Sequence, residues 1–160
     1  MDGFVATYIN RLDAKGRVSV PAAFRAVLSR EGQEGLYCYP ALDLPAIDAG
    51  GARLQQAIGE QLADFETFSE DYETLSTAFY ADSRVLKIDQ DGRIMLPEEF
   101  REVTGITDAA LFAGQGLKFQ IWEEARFRER QKAAREHLRS LKLSLGRKSK
   151  RGPAAGETGA

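Results

Sequence analysis

The sequence predicts an α+β fold built from two copies of one unit, and three observations support this. The segment "DAKGRVSVPAAFRAV", which begins at Asp13, returns as "DQDGRIMLPEEFREV" at Asp89. Seven residues are identical at a fixed offset of 76 residues, which indicates a tandem duplication. Each copy combines short alternating stretches typical of strands with one short helical stretch. Amphipathic segments of helical period join and follow the copies.

The first copy opens with a β-favouring stretch, "FVATYINRL", followed by the turn "DAKG". Asp can accept hydrogen bonds from its own backbone and Gly accepts a positive φ, so Asp13 and Gly16 are predicted to shape this turn. "RVSVP" predicts a second strand paired with the first. Pro21 suits a helix start, "AAFRAVLSR" predicts a helix that stops at Gly32, and "GLYCYP" predicts a third strand.

The second copy repeats this order, with Asp89 and Gly92 shaping its turn. "SRVLKI" and "RIMLP" predict strands around "DQDG", and "EEFREVTG" predicts a helix whose first-turn acids favour the helix dipole. Two strands, "AALFAG" and "LKFQIWE", then follow. The copies therefore differ after their helices, and we expect the first copy to have lost the strand that corresponds to "AALFAG".

Helical segments surround the second copy. Residues 52–81 are predicted to be helical, with their acids on a solvated face. Their apolar residues form two stripes, namely Leu54, Ile58, Leu62 and Phe65, then Tyr72, Leu75 and Phe79. The predicted boundaries are 4–50 for the first repeat, 51–82 for a helical connector, 83–127 for the second repeat, 128–145 for a basic helix and 146–160 for a disordered tail.

The charges are separated along the chain, although the net charge is only −2. From Glu31 to Asp82 there are eleven acids and one base, whereas from Arg126 to Arg151 there are eleven bases and two acids. This asymmetry points to a polyanionic partner or to an internal charge complement.

Several classes of protein are excluded by composition. No apolar run is long enough to span a membrane, and the N-terminus predicts no secretory signal. With one Cys and one His, the chain offers no zinc site, and a lone Cys38 suits a reducing compartment. "DQDGRIMLPE" resembles a calcium loop, but Lys87 stands where the first carboxylate ligand is needed. We predict no metal, no cofactor, no small-molecule substrate and no catalytic group, since neither Cys38 nor His137 has a recognisable partner.

The repeated turns carry cations. Lys15 and Arg17 flank Gly16, with Arg11 nearby, and the second turn has Arg93 with Arg84 and Lys87 near it. A tight turn that projects an Arg can reach a phosphate or a guanine edge, so nucleic-acid binding is one interpretation. Two others stay open: Asp13 and Asp89 cap the turns while Arg17 and Arg93 pair with carboxylates, or the turns bind protein.

The two Asp-x-x-Gly-Arg turns, each followed by an apolar strand, a Pro and an "FR"-bearing helix, resemble the MraZ family, which is related to AbrB-type swapped-hairpin regulators. The resemblance spans about residues 4–127, with "GLYCYP" closing the first copy and "FQIWEE" the second. It implies one duplicated, AbrB-like swapped-hairpin β-barrel with two pseudo-symmetric repeats and peripheral helices. A barrel would also explain the duplication, because the strands of one copy alone leave unpaired edges.

The resemblance also implies a function. It implies a cytoplasmic, nucleoid-associated transcriptional regulator that represses its own division and cell-wall gene cluster. The resemblance further implies that a ring-shaped homo-oligomer binds direct repeats in double-stranded DNA upstream of its own gene. The family's DNA-contacting turn falls on residues 13–17, so Lys15 and Arg17 are the expected DNA-binding residues, joined by Arg11 and Arg93. Asp91 replaces Lys15 in the second turn, which makes contact by Arg93 the weaker expectation. The alternative is a ring-forming scaffold or antitoxin-like module that binds protein.

Overall fold

The computed structural model describes the backbone of residues 3–158 and the side chains of residues 3–146. Two compact units are present, Met1–Glu124 and Ala125–Ala160. The strands are β1 (Thr7–Arg11), β2 (Arg17–Ser19), β3 (Gly35–Pro40), β4 (Ile47–Gly50), β5 (Arg84–Lys87), β6 (Arg93–Met95), β7 (Ala109–Gly114) and β8 (Phe119–Trp122). The helices are α1 (Ala22–Arg30), α2 (Ala52–Leu62), α3 (Glu70–Ser76), α4 (Glu98–Thr104) and α5 (Glu124–Thr158), with a π-helical turn over Thr77–Ala81. Among the described helices, none is long and apolar enough to cross a bilayer.

Six strands form one antiparallel sheet in the order β1-β7-β8-β4-β3-β5. The counterparts in the two repeats are β1 and β5, β3 and β7, and β4 and β8. If each strand is replaced by its counterpart, the same order results, read from the opposite edge of the sheet. The first strand of each repeat pairs with a strand of the other repeat, β1 with β7 and β5 with β3. The duplication in the sequence is thus a pseudo-two-fold arrangement of strands in which each repeat supplies an edge of the sheet.

The remaining two strands, β2 and β6, pair with each other around the register Val18↔Ile94. We predicted that β2 would pair with β1, and this prediction is wrong. Both Val18 and Ile94 are fully buried in the core, and this burial is achieved when the equivalent strands of the two repeats face each other. The two turns that precede these strands are therefore brought to one side of the molecule.

The predicted closed barrel is not found among the described residues. β1 and β5 lie at opposite edges of the six-stranded sheet, and β2 with β6 forms a separate ribbon. A barrel requires the two edge strands of a sheet to pair. The fold is an α+β arrangement of one open, mostly antiparallel sheet with a small second sheet and helices.

The expectation that the first repeat had lost a strand is also wrong. β3 is the counterpart of β7, and β4 over "IDAG" is the counterpart of β8. The sequence does not predict β4, because Asp48 and Gly50 disfavour strands. In the structure Asp48 is buried, and its carboxylate accepts hydrogen bonds from Lys118 Nζ and Gln120 Nε2, both at 2.8 Å. These partners compensate for burying the charge at the centre of the sheet.

The main core lies between one face of the sheet and the helices and ribbon contributed by the two repeats. Three aromatic rings fill its centre. The ring of Phe24 from α1 lies 5.3 Å from that of Phe4 and 4.7 Å from that of Phe119, measured between centroids. All three side chains have no exposed surface, so α1 is fixed against the sheet directly after the β2 strand.

A second apolar cluster covers the opposite face of the sheet at β3. Tyr37 and Tyr39 alternate with core-facing neighbours along β3 and pack under α2 and α3. The predicted single helical stretch over 52–81 is two helices, because the chain leaves helical geometry at 64–69. Phe65, expected in the buried stripe, is 36% exposed at this break.

The helix α5 runs from Glu124 to Thr158, so it begins before and ends after the predicted basic helix of 128–145. Its backbone includes most of the segment predicted to be a disordered tail. That prediction rested on the composition of the segment, in which Gly and Pro disfavour helix while Lys, Arg and Ala favour it. The side chains of the cationic cluster at 147–151 lie outside the described residues.

Candidate nucleic-acid interface

The first turn is built around the carboxylate of Asp13. Its Oδ1 accepts hydrogen bonds from the backbone N–H groups of Lys15 and Arg17, both at 2.9 Å. Gly16 has φ = +84°, a left-handed conformation that favours glycine. The hydrogen bonds to Asp13 and the positive φ of Gly16 therefore define the shape of this turn.

The second turn repeats this geometry. Asp89 Oδ1 accepts from the N–H groups of Asp91 and Arg93 at 2.9 and 3.0 Å, and Gly92 has φ = +79°. Each turn is also tied to the other repeat, since Leu96 N donates to Gly16 O at 3.0 Å and Val20 N donates to Gly92 O at 2.9 Å. The two turns are consequently held side by side, with Arg93 Nη1 only 3.7 Å from Asp13 Oδ2.

The Arg side chains of the two turns differ in the number of carboxylates that lie near them. Arg17 donates from Nε to Asp13 Oδ2 at 2.7 Å, and its Nη groups make no hydrogen bond to a described residue. All three nitrogens of Arg93 lie near carboxylates: Nε near Asp89 at 3.4 Å, Nη2 near Asp91 at 3.2 Å and Nη1 near Asp13. Arg17 thus presents a guanidinium that one carboxylate orients, whereas Arg93 is largely neutralised.

The other cations near the turns differ in whether a described carboxylate pairs with them. Lys15, at the tip of the first turn, and Arg11, which precedes it, are exposed and form no ion pair within the described part of the chain. Lys87 is likewise exposed and unpaired there, whereas Arg84 pairs with Glu99. The first turn therefore carries uncompensated positive charge, and the second carries the additional acid Asp91.

Two further arginines reach the turns, and the sequence analysis did not assign them. A Cβ placed on Gly16 would lie 3.6 Å from the Arg101 guanidinium carbon, and one placed on Gly92 would lie 2.6 Å from that of Arg25. Each guanidinium thus lies against the turn of the other repeat. Arg25 is fixed by donating from Nε to Val20 O at 3.1 Å. The sequence did contain a signal, since Arg25 and Arg101 are identical residues at equivalent positions of the two repeats. Only the structure, however, shows that each one contacts the turn of the other repeat.

The hydrogen bonds to the turn carboxylates predict a pH dependence. The backbone N–H of Arg17 holds the pKa of Asp13 below its ordinary value of 3.8, and that of Arg93 does the same for Asp89. Because the folded pKa is depressed, the turns are stabilised above pH 3.8, and this stabilisation is lost as the pH falls through the folded values. Carboxyl-carbon NMR titration of the protein should find both groups titrating below 3.8.

The variant Asp13→Asn supplies the control for that titration. It should remove one of the two low-pKa signals while leaving that of Asp89 in place. Midpoints at or above 3.8 for both carboxyls would show that the turn hydrogen bonds are not maintained in solution.

Within the described residues, no cluster of three or more His, Cys, Asp or Glu side chains could hold a metal ion. Cys38 is buried in the core, and burial raises the pKa of its thiol to about 12. His137 is exposed on α5. The candidate site consists of the two turns and the arginines beside them.

The chain matches one family model and is similar to several known proteins. Residues 79–142 match the family model described as "MraZ protein, putative antitoxin-like". A relative from Beijerinckia indica, named "Transcriptional regulator MraZ", is 49% identical over 145 residues, covering 91% of this chain and 88% of the relative. Proteins of the same name from Methylocella silvestris and Gluconobacter oxydans are 47% and 40% identical, the former over 91% of this chain and 88% of its own, the latter over 99% and 97%.

Proposed function

The chain belongs to the MraZ family, whose relatives are named as transcriptional regulators rather than enzymes, and on that premise we propose that it regulates transcription by binding double-stranded DNA through its first turn. The DNA-contacting groups would be Arg17, Lys15 and Arg11, with a smaller contribution from Arg93. Its targets would be direct repeats upstream of its own gene, where a bound oligomer represses the promoter.

One observation carries this proposal: the Asp13 turn holds the Arg17 guanidinium by one nitrogen and leaves its Nη groups without hydrogen bonds to described residues. An oriented guanidinium is suited to the two acceptors of a guanine edge or to a phosphate. Lys15 and Arg11 add unpaired charge beside it within the described part of the chain, which supports backbone contacts that fix the register. Arg25 and Arg101 lie against the turns, each against the turn of the other repeat.

A single turn supplies few contacts, so one copy would bind DNA weakly and with strong dependence on salt. We propose that several copies assemble into a ring and that their turns engage neighbouring repeats together, so that avidity supplies the affinity. The exchanged strands of the sheet support the relationship to swapped-hairpin regulators, although the sheet stays open. The proposed location is the cytoplasm, in association with the nucleoid.

Binding to the DNA upstream of the gene tests this function. Fluorescence anisotropy with that duplex and with a shuffled duplex, each measured over a range of salt concentrations, should show tighter binding to the upstream sequence. The logarithm of the affinity should fall linearly with the logarithm of salt, by about 0.9 for each phosphate neutralised. Absence of binding at low salt would contradict the proposal.

Replacing Arg93 by Ala should weaken DNA binding less than replacing Arg17 by Ala. The Arg93 guanidinium is already opposed by the carboxylates of Asp89, Asp91 and Asp13, so it offers little free charge to a phosphate. Both variants are compared by anisotropy on the same duplex. Arg30→Ala, which removes an equal charge at the far end of α1, serves as the control. Equal losses for Arg17→Ala and Arg93→Ala would show that both turns contact DNA.

A second candidate function is a ring-forming scaffold or antitoxin-like module that binds protein. The ion pairing of Arg17 and Arg93 within the turns favours it, because paired arginines can serve structure alone. The matched family description also includes the word antitoxin. Salt-insensitive assembly together with no preference for the upstream duplex would favour this function.

A further inference from the structure

The helix α5 carries an apolar seam that is exposed in a single copy. Ala134, Leu138, Leu141 and Leu145 recur at spacings of four, three and four residues, which places them on one face. The three leucines are 57%, 46% and 63% exposed. A row of exposed leucines at this spacing is suited to packing in an apolar groove or against another helix.

The charges beside the seam argue against packing of one α5 on another. Arg135 and Lys142 flank the seam on one side, and Arg130 and His137 flank it on the other. A pair of α5 helices would therefore bring cations against cations, whether parallel or antiparallel. The seam requires a partner that is apolar in its centre and acidic at its margins.

The first unit presents an apolar groove of about 520 Å³ beside α2. Its lining is mostly apolar and includes Leu42, Leu44, Leu54, Ile58 and Leu117. Leu42 and Leu117 are 55% and 37% exposed. The buried Asp48 in its wall is neutralised by Lys118, whereas Asp43 makes no ion pair among the described residues. The groove is thus an apolar trough with an unpaired acid beside it.

The charge balance extends this complementarity beyond the groove. Residues 1–124 contain 11 Lys and Arg against 21 Asp and Glu, a net charge of −10. Residues 125–146 contain seven Lys and Arg against two Asp and Glu, a net charge of +5. Complementary charge of this size steers association and fixes its orientation.

We propose that the α5 seam of one copy docks in this groove of a second copy. The contact joins two different surfaces, so each copy keeps one free groove or one free helix after the first contact forms. Such head-to-tail contacts close into a ring when the rotation between copies allows it. This inference rests on the proposed assembly of several copies and names its contact; it does not depend on DNA binding.

Two variants that disable opposite halves of the contact test this inference in the full chain without DNA. Leu138→Ser with Leu141→Ser removes the centre of the seam, and Leu42→Arg with Leu117→Arg places cations at the groove. All four leucines are exposed, so folding should be preserved, and the unfolding temperature of each variant checks this. Leu143→Ser, at a 64% exposed leucine off the seam, and Val103→Arg, at an exposed site outside the groove, are the matched controls.

Analytical ultracentrifugation should find each double variant monomeric, while the wild type and both controls assemble. An equal mixture of the two double variants should form a dimer, since the first retains a groove and the second retains a seam. The assembly should also weaken at high salt.

Several results would overturn the inference. They are assembly of either double variant at wild-type strength, a mixture that stays monomeric, or a wild type that never assembles. DNA binding by a monomeric wild type would leave the proposed regulator in place while removing this contact. A wild type that assembles but binds no DNA at low salt would leave this contact in place while removing the proposed regulator.

Discussion

Arg17→Ala is expected to abolish preferential binding to the upstream DNA while leaving assembly unchanged. If Arg17 reads a guanine, the loss should be about 1–3 kcal/mol for each site and should fall mainly on the cognate duplex. The fold should tolerate the change, because Asp13 still accepts two backbone hydrogen bonds and lies near Arg93. Anisotropy on cognate and shuffled duplexes, together with light scattering after size exclusion, measures both effects.

A second substitution separates the guanidinium fork from its charge. Arg17→Lys retains the positive charge but cannot make two parallel hydrogen bonds to one base edge. The Arg17→Lys protein should bind the shuffled duplex about as tightly as the wild type does, without the preference for the cognate duplex. Normal cognate affinity in Arg17→Ala, or a monomeric Arg17→Ala protein, would contradict the assignment of this residue to DNA.

The largest effect on stability is expected for Gly114→Ala. A Cβ at this position would lie 2.5 Å from the backbone N of Val5 and 2.6 Å from the carbonyl carbon of Phe4, closer than real side chains approach. The backbone would have to move, and it carries Phe4, whose ring packs against those of Phe24 and Phe119 in the core. We expect the free energy of unfolding to fall by about 3 kcal/mol or more.

Gly59→Ala provides a matched control with the opposite sign. Gly59 lies inside α2, and beyond the helix's own backbone no atom lies within 4 Å of the place that an alanine Cβ would take. Alanine there should stabilise the helix by about 0.5–1 kcal/mol. Urea denaturation of both variants gives the comparison, and a Gly114→Ala protein within about 1 kcal/mol of the wild type would contradict the packing at Phe4.

The local elements of this fold could be predicted from the sequence, whereas their pairing could not. Alternation and turn residues located β1, β2, β3 and the helix after Pro21, because these signals depend on neighbours in the chain. Pairing β2 with β1 follows ordinary hairpin logic, yet β2 pairs with β6. The two equivalent strands bury Val18 and Ile94 together, which is a tertiary gain that no local pattern records.

For the candidate site too, local features could be predicted from the sequence, whereas contacts between the two repeats could not. The signals at Asp13, Gly16, Asp89 and Gly92 are local, since each of these residues acts on its near neighbours in the sequence. The positions of Arg25 and Arg101 could not be predicted, because each lies against the turn of the other repeat. Whether the turn cations bind DNA stays a prediction, and the difference between Arg17 and Arg93 became visible only with the carboxylates in place.

The pairing of β1 with β7 has a consequence for how the protein is made. Thr7 leaves the ribosome early, and its partner Ala113 follows only after most of the first unit has been synthesised. The edge of β1 must wait unpaired during that time, and closing so long a loop is slow. Because these contacts join residues so distant in the chain, we expect the sheet to close only after most of the chain has been synthesised. The nascent chain is most vulnerable to aggregation before β7 emerges.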